Sequence, residues 1–505
     1  MALNSAKEIN SAVEINYDFI AKWTSETRFY KFVDGLEKHI KRNLQRDNIK
    51  TRPSVSHGLW CCFLLPVILV HNTYLHNVSL LYKIMTCLSL GLLSYSILFI
   101  VFMSVSCLVL KKNIRSGSFA SSLVSTLLLY QVLDQGLIFS LIVSVSSVYM
   151  FSTLLRISLT RLPETFTIGE AMITAQSCVL LSVVLLFRIF LRCGDAAHND
   201  LNFIIDVNAV MFISAGMIII SLHTPKTKPK DIKELRNVLG IGLVLSLCLL
   251  HIGVGIDSMK RIVYFMLLNN TRIKLVSFWA AMTALAGITL YYRTYLNVKA
   301  TTVTRKVFHV LASSVFLTGI IYDVPLMTFA AGFGFVALVM IEAIRKANIK
   351  FVSPILQDAF DVYRDEKDAG DFAMSALYLY AGLAGPLILV PVHKNYELEL
   401  LSGVLSVGVG DTAASWFGAK YGFNKWADGN KSMEGTLFNF MSQIAAVYTL
   451  DFFGLLVTNT GLFRAIIAAF ISSMVEAKTE QNDNLIIPLV ALLSFQLSKI
   501  IFRAD

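Results

Sequence analysis

The stretch IMTCLSLGLLSYSILFIVFMSVSCLVL, residues 84–110, contains no charged residue and is long enough to cross a lipid bilayer. A helix needs about 20 apolar residues to cross the hydrocarbon core, where only helices and closed barrels satisfy every backbone hydrogen bond. Similar runs recur along the 505-residue chain, of which 55% is hydrophobic and 15% charged. We predict spans near residues 59–76, 84–110, 118–133, 137–155, 171–192, 202–222, 237–256, 273–293, 307–322, 326–344, 373–392, 398–417, 436–457, 461–476 and 485–502. The predicted fold class is an all-α polytopic transmembrane helical bundle with roughly 13 to 15 spans.

Positive charge is concentrated outside the apolar runs. The net charge is +10, and lysine and arginine cluster in residues 1–58 and in short loops such as 226–236 and 299–306. Cytosolic loops of membrane proteins are enriched in these residues, so the distribution predicts orientation rather than nucleic-acid binding. We expect residues 1–58 to form a polar, partly helical cytosolic arm without a cleavable signal peptide. Residues 59–298 and 299–505 then form two multi-span membrane regions.

Pairs of spans return the chain repeatedly to one membrane face. If residues 299–306 are cytosolic, the hairpins that follow place the polar segments 345–372, 418–435 and 476–484 on the same side. Nucleoside triphosphates are available on the cytosolic face, where an enzyme that uses them would need these segments. None of the seven cysteines follows Cys248, which excludes thiolate metal sites from this part of the chain.

The most distinctive polar segment is GDTAASWFGAKYGFNKWADGNKSMEGT, residues 410–436. Asp411 lies inside an apolar run, where an ionised carboxylate is costly unless it is paired or binds a metal ion. Lys431, Ser432 and Glu434 lie between glycines, and these residue types together suit the binding of nucleotide phosphates and Mg²⁺. GVGDTA lacks a surrounding βαβ unit and GNKS lacks the glycine spacing of a P-loop, so neither common nucleotide motif applies.

The same segment also has a purely structural interpretation. Residues 418–435 could be a solvated loop, although the four glycines in it and the two tryptophans within residues 410–436 are unusual in a passive connector. Small residues that allow close helix packing would explain Gly403, Gly408 and Gly410. Helix packing does not explain Asp411.

A second polar segment, RKVFH at residues 305–309, stands at the entrance of a predicted span. Arg305 and Lys306 could be no more than a positive anchor on the cytosolic side. His309 lies one turn further into the span, which favours a functional role for the segment.

A third polar segment, VEAKTEQNDNLIIP at residues 475–488, forms the mouth of a predicted hairpin. Glu476 ends one span and Asp483 begins the next. Carboxylates in this position could complete a Mg²⁺ site, but a polar turn is the simpler alternative. Residues 345–372 carry charges of both signs, as a solvated loop would, and we assign them no chemistry.

The three segments in this order, separated by hydrophobic hairpins, resemble the CTP-dependent polyprenol kinase family. The resemblance covers roughly residues 300–505, whereas residues 1–298 match only in character. That family includes dolichol kinases, phytol kinases and fungal CTP-dependent diacylglycerol kinases, with phosphatidate cytidylyltransferases as distant relatives. A large multi-span N-terminal half favours the dolichol kinase branch, in the endoplasmic reticulum membrane with the active site facing the cytosol.

The resemblance implies transfer of the γ-phosphate of CTP to dolichol, a long-chain polyprenol, giving dolichyl phosphate for protein glycosylation. It also implies Mg²⁺ or a similar divalent cation. Our hypothesis is that Asp411, Glu476 and Asp483 are its ligands, or that one of them, with Asp411 as our choice, accepts the hydroxyl proton instead. As catalytic residues we assign Lys431 to the phosphates, Asp411 to the hydroxyl proton and His309 to the orientation of the alcohol. The assigned CTP-binding residues are Arg305, Lys306, Gly410, Thr412, Gly429, Asn430, Lys431, Ser432, Glu434, Gly435 and Thr436. Stacking of Trp416 or Trp426 on the cytosine is a further hypothesis.

Two other functions remain open at this stage. A transporter or flippase for a lipid or an anion would suit so many spans, but the pattern of residues 410–436 does not recur in the first half, as an internal repeat would require. Cytidylyl transfer would use the same nucleotide and break a different bond. Its product is pyrophosphate, whereas a kinase releases CDP.

Overall fold

The structure is a computed structural model that describes residues 28–111, 116–190, 200–365, 367–393, 396–426, 431–456 and 460–502. Its helices are α1 (Arg28–Arg46), α2 (Leu64–Leu75), α3 (Leu80–Val105), α4 (Leu108–Lys111), α5 (Ser116–Gln131), α6 (Leu137–Thr160), α7 (Ile168–Phe190), α8 (Asp200–His223), α9 (Ile232–Gly253), α10 (Ser258–Leu267), α11 (Asn270–Tyr295), α12 (Thr302–Tyr322), α13 (Val324–Lys346), α14 (Val352–Tyr363), α15 (Met374–Leu389), α16 (Glu397–Leu400), α17 (Thr412–Tyr421), α18 (Met433–Phe452), α19 (Gly461–Lys478) and α20 (Asp483–Phe502). A 3₁₀ turn, Leu59–Phe63, precedes α2, and a π-helical segment, Val404–Asp411, precedes α17.

The predicted all-α membrane fold is confirmed. Within the described ranges, nine helices are long and apolar enough to cross a bilayer, namely α3, α6, α7, α8, α9, α11, α12, α13 and residues Asp483–Ile501 of α20. The other six predicted spans are helical as well, but shorter or more polar. They are residues 59–76, 118–133, 373–392, 398–417, 436–457 and 461–476.

Helix α20 lies at the centre of the C-terminal half. It packs against α15, α19 and the π-helical segment, and also against α2 from the N-terminal half. Its side chains Ile486, Leu492 and Phe495 are almost fully buried. The two halves of the chain therefore share one apolar core, and both ends of α20 are held by tertiary contacts. The N-terminal half also includes α1, whose Ile40 and Leu44 are buried in the same core, so this part of the predicted arm packs on the membrane helices.

The polar face of the N-terminal half is joined to the loop before α20 by a buried ion pair. Arg52 donates hydrogen bonds to Glu170 through Nε (3.1 Å) and Nη2 (2.7 Å). Glu170 also accepts a 2.7 Å hydrogen bond from the backbone N–H of Asn482, and Arg52 donates to the carbonyl of Glu480 at 3.0 Å. An unpaired charge would be costly at this depth, so the pair stabilises the loop that leads into α20.

The predicted span 398–417 is not one regular helix. It comprises α16, the π-helical segment and the first residues of α17, in the order of the chain. Segments of π-helix are rare and occur most often at functional sites. Here the π-helical segment ends at Asp411, the residue that stood out in the apolar run.

The glycines of this segment have the packing role that the sequence left open. A Cβ atom at Gly403 would collide with the backbone of Gly382 on α15, and one at Gly410 would collide with Asn439 on α18. Close approach of neighbouring helices thus requires glycine at both positions. It also brings the π-helical segment against α18, which begins beside the site described next.

Candidate active site

Three carboxylates from three different elements converge at one end of the bundle. Asp411 lies at the end of the π-helical segment, Glu476 in the last turn of α19 and Asp483 at the start of α20. One oxygen atom from each lies within 4.8 Å of the others. Mg²⁺ binds oxygen ligands at about 2.0–2.1 Å, so opposite ligands lie about 4 Å apart. Only small movements of these side chains would be needed for all three to hold one divalent ion.

Three lysines surround the carboxylates. Lys306 donates a hydrogen bond to Asp411, and Lys431 Nζ lies 2.7 Å from Glu476 Oε1 and 3.4 Å from Asp483 Oδ2. The third is Lys367, whose Nζ lies 2.8 Å from Asp483 Oδ2. The six side chains carry three negative and three positive charges, so each carboxylate is neutralised by a lysine.

The environment of Lys431 keeps its ammonium group charged. Burial by itself would lower the pKa of Lys431, but the nearby carboxylates of Asp483 and Glu476 outweigh burial and hold this pKa well above its usual range. Lys431 Nζ also donates a 2.6 Å hydrogen bond to the backbone carbonyl of Glu476. A permanently charged group is therefore held in a fixed position at the mouth of the site.

His309 lies on the other side of Asp411. Its Nε2 lies 3.9 Å from Asp411 Oδ2 and 3.1 Å from Asn484 Oδ1. The amide of Asn484 is oriented by a 3.0 Å hydrogen bond from its Nδ2 to the carbonyl of Ser375. Oδ1 of Asn484 therefore faces Nε2 of the ring, and the ammonium group of Lys306 lies 3.4 Å from the same nitrogen.

The convergence of distant polar segments agrees with the sequence expectation, but one contributor was missed. Residues 345–372 were assigned no chemistry, yet Lys367 from this loop forms an ion pair with Asp483. The span count had already placed the loop on this face. A loop of mixed charge, however, gives no local signal for which lysine points inward.

The other predicted nucleotide-binding residues differ in their surroundings. Arg305 forms a 2.7 Å ion pair with Asp365, on the loop that also carries Lys367. The hydroxyl of Thr412 is buried and has no hydrogen-bond partner among the described residues. Gly410 packs against α18, as described above. Gly429 and Asn430 lie outside the described residues.

The residues at the start of α18 stabilise the helix terminus and the loop before it. Ser432 caps α18 by accepting a 3.1 Å hydrogen bond from the N–H of Gly435. Glu434 accepts a 2.7 Å hydrogen bond from Asn424 Nδ2, and Thr436 Oγ1 accepts one from Trp426 Nε1 at 3.0 Å. Together these contacts fix the position of Lys431, the adjacent residue.

The two tryptophans proposed for cytosine stacking occupy different surroundings. Trp426 is held against Thr436, close to Lys431 in the chain. Trp416 is 59% exposed and lines an apolar groove beside α12. The stacking of either ring on a cytosine stays a prediction.

Comparison with known proteins agrees with this picture. A family model described as dolichol kinase matches residues 78–375. This chain belongs to the dolichol kinase family. The match begins just before α3 and covers most of the N-terminal half, which resembled the family only in character. It also includes Lys306, His309 and Lys367. It ends before Asp411, so the carboxylate site rests on the structure.

Individual dolichol kinases are similar over large parts of the chain. The mouse (Mus musculus) dolichol kinase is 29% identical over 353 residues, which cover 66% of this chain and 65% of the relative. The Arabidopsis thaliana dolichol kinase EVAN is 28% identical over 224 residues, or 43% of this chain and 39% of the relative. The Saccharomyces cerevisiae dolichol kinase is 24% identical over 339 residues, 63% of each. The matched region thus spans about 65% of the length of the first of these relatives. No solved structure matches the chain.

Proposed function

We propose that this dolichol kinase family member transfers the γ-phosphate of CTP to dolichol, forming dolichyl phosphate for protein glycosylation. The observation that carries the proposal is the cluster of Asp411, Glu476 and Asp483, neutralised by lysines, at one end of a membrane bundle. Phosphoryl transfer depends mainly on positioning and on neutralising phosphate charge. Both needs are met by a compact group of carboxylates and ammonium groups.

The charge of the cluster suits a metal-bound triphosphate. The three carboxylates would hold Mg²⁺, or a similar divalent cation, and the bound ion would supply positive charge that offsets the charge of the phosphates. Since the six side chains are neutral as a group, adding a divalent cation leaves a net charge of about +2. An anionic triphosphate would then be attracted to the site.

The lysines would change partners when the nucleotide binds. Lys431 and Lys367 both contact Asp483 in the free protein. Once these carboxylates bind a cation, the ammonium groups can turn to phosphate oxygens within reach. In this role Lys431 neutralises charge on the transferred phosphate, and Lys306 offsets charge on the departing CDP.

The acceptor alcohol would approach on the side of Asp411 and His309. Asp411 is the carboxylate nearest His309 and is our choice for accepting the hydroxyl proton as the new P–O bond forms. His309, held beside Asp411 by Asn484, would orient the hydroxyl. Little proton transfer is needed early in a loose transition state, so the positions of these groups matter most.

Product analysis tests the reaction. Membranes that contain the protein, or the protein purified in detergent, are incubated with CTP or ATP labelled at the γ-phosphate and with dolichol, phytol or diacylglycerol as acceptor. We expect Mg²⁺-dependent transfer of label from CTP to dolichol with release of CDP. Equal transfer from ATP, labelling of diacylglycerol alone, or release of pyrophosphate would each contradict the proposal.

A charge variant ties the reaction to the carboxylates. Asp411→Asn keeps the shape of the side chain and removes its charge, so we expect turnover to fall by orders of magnitude while the protein accumulates in the membrane. Asp451→Asn, at the exposed far end of α18, is the matched control and should keep full activity. Normal turnover in Asp411→Asn would remove this residue from the mechanism.

We also propose that the protein lies in the endoplasmic reticulum membrane with the site facing the cytosol. The basic loops and the need for a cytosolic nucleotide support this orientation. Glycosylation reports the lumenal face, and the sequence has acceptor patterns at Asn77, Asn269 and Asn430. Only the first two would be lumenal. A glycan on Asn430 would contradict the orientation.

A further inference from the structure

An apolar groove of about 340 Å³ opens beside the carboxylate site, between α12 and the π-helical segment with α17. Its walls include Val310, Leu317, Val404, Val409, Trp416 and Phe417. The volume lies at the lower end of the range for small-molecule pockets. None of the described residues that line it is charged, so the groove does not suit a phosphate or a nucleotide.

Two unpaired hydroxyls lie in this apolar lining. Ser313 is 6% exposed, and its Oγ has no hydrogen-bond partner among the described residues. The Oγ of Thr412, on the opposite wall, is likewise buried and unpaired. A buried hydroxyl without a partner is unfavourable, so each indicates a place for a polar group of a ligand.

The groove continues from the reaction centre. Thr412 directly follows Asp411, and Ser313 lies one helical turn beyond His309 on α12. The passage is narrow at Gly408, whose backbone lies so close to Ser313 that a Cβ atom at this position would collide with the serine side chain. The unpaired hydroxyls therefore lie between the reacting groups and the apolar part of the groove.

The outer wall of the groove is apolar and exposed. Trp416 is 59% and Val310 46% exposed, and α12, which carries Val310, is long and apolar enough to cross a bilayer. A chain lying in the bilayer could enter here sideways, with its polar end leading towards Asp411. The occupant must then be a lipid whose head is small and uncharged.

We propose that this groove binds the hydroxyl end of the polyprenol acceptor, with Ser313 and Thr412 bonding the alcohol and the apolar walls holding its first isoprene units. The inference rests on the proposed function and names the acceptor subsite of the same reaction. The remainder of a long prenol would extend into the bilayer. Diacylglycerol also has a free hydroxyl, but its branched glycerol esters would meet the constriction at Gly408.

Photocrosslinking of the wild-type protein tests binding directly. A prenol with a diazirine in its first isoprene unit is irradiated with the detergent-solubilised full chain, with or without excess dolichol. We expect labelled peptides from residues 310–317 and 404–417, and loss of the label when dolichol competes. Labelling confined to other helices, or label unaffected by dolichol but displaced by diacylglycerol, would overturn the assignment.

Kinetics of two tryptophan variants test the subsite in turnover. Leu317→Trp fills the groove, so we expect the KM for dolichol to rise by about tenfold or more while the KM for CTP stays unchanged. The control is Leu285→Trp on α11, at a position 47% exposed and outside the groove, which should change neither constant. An unchanged dolichol KM in a folded Leu317→Trp protein would reject the groove.

Ser313→Ala separates ligand binding from structural support. Its hydroxyl has no partner in the free protein, so its removal should leave thermal stability unchanged and raise the KM for dolichol severalfold. Lower stability with an unchanged KM would show that the hydroxyl supports the fold instead. The outcomes also separate the two proposals. A wild-type protein that phosphorylates no prenol rejects the proposed function, whereas an active enzyme labelled elsewhere rejects only this subsite.

Discussion

The ion pair between Arg52 and Glu170 provides the sharpest test of how the N-terminal half supports the site. Glu170 is fully buried and Arg52 is 4% exposed. The carboxylate accepts four hydrogen bonds, two from Arg52 and one each from the backbone N–H groups of Thr167 and Asn482. The last of these holds the residue directly before Asp483, one of the three clustered carboxylates.

Glu170→Gln removes the charge at nearly constant volume. It leaves Arg52 buried without a counter-ion and replaces one acceptor oxygen by an NH₂ group, which can only donate. Removing one partner of a buried ion pair typically costs about 3–5 kcal/mol. Because one oxygen remains as an acceptor, we expect a loss of about 3 kcal/mol in the free energy of unfolding. The loop before Asp483 should also lose part of its support.

The assay combines stability and turnover of the same purified protein. Unfolding in mixed micelles reports the free energy, and the Mg²⁺ concentration for half-maximal activity reports the position of Asp483. In Glu170→Gln we expect a lower free energy of unfolding and a higher Mg²⁺ concentration for half-maximal activity. The matched control is Glu164→Gln, whose ion pair with Lys50 is 3.5 Å long and solvent-exposed, and exposed pairs are worth about 0–1 kcal/mol.

A double variant isolates the charge from the hydrogen bonds. Exchanging both partners of a buried ion pair for apolar residues is often neutral, so adding Arg52→Met to Glu170→Met should recover part of the lost stability. The N–H of Asn482 still lacks its acceptor, and the Mg²⁺ requirement should stay raised. The reasoning is refuted if Glu170→Gln matches Glu164→Gln in both measurements.

Three further outcomes are expected. Lys431→Ala should lower kcat/KM by about 10²–10³ because phosphate neutralisation is lost, and Lys431→Arg should keep partial activity. Steady-state kinetics with CTP measure this, and a near-normal kcat/KM in Lys431→Ala would remove Lys431 from the site. Chelation of divalent cations should abolish turnover and added Mg²⁺ should restore it, so activity that persists in excess chelator would contradict the metal site. At the opposite end of α20, Glu399 is buried between Arg464 (2.9 Å) and Lys499 (3.3 Å). Glu399→Gln should therefore lower the free energy of unfolding by about 3–5 kcal/mol and leave the KM values for CTP and dolichol unchanged. An altered KM for either substrate would show that this end of the bundle also takes part in binding.

The sequence by itself determined the fold class and five of the six charged side chains of the site. A backbone inside hydrocarbon must satisfy its own hydrogen bonds, and apolar runs of about 20 residues have the length of a spanning helix rather than of a barrel strand. Asp411 stood out because a carboxylate is rare at such a position. Residues 305–309 and 475–488 could be connected with it because successive hairpins return the chain to one face.

Only the tertiary structure decided how these residues act together. Residues 398–417 looked like one span, yet the π-helical segment within them arises where glycines pack against neighbouring helices. Ser432 and Thr436 had the right chemistry for binding phosphate, but contacts at the start of α18 engage both hydroxyls.

Long-range partners were beyond local sequence patterns for a physical reason. Lys367 is 116 residues from Asp483, and Arg52 is 118 residues from Glu170. A charged residue in a loop has the same local pattern whether it faces water or a buried carboxylate. The packing of α2, α7 and α20 sets which of these side chains meet, and the low polarity between them makes each pairing energetically decisive.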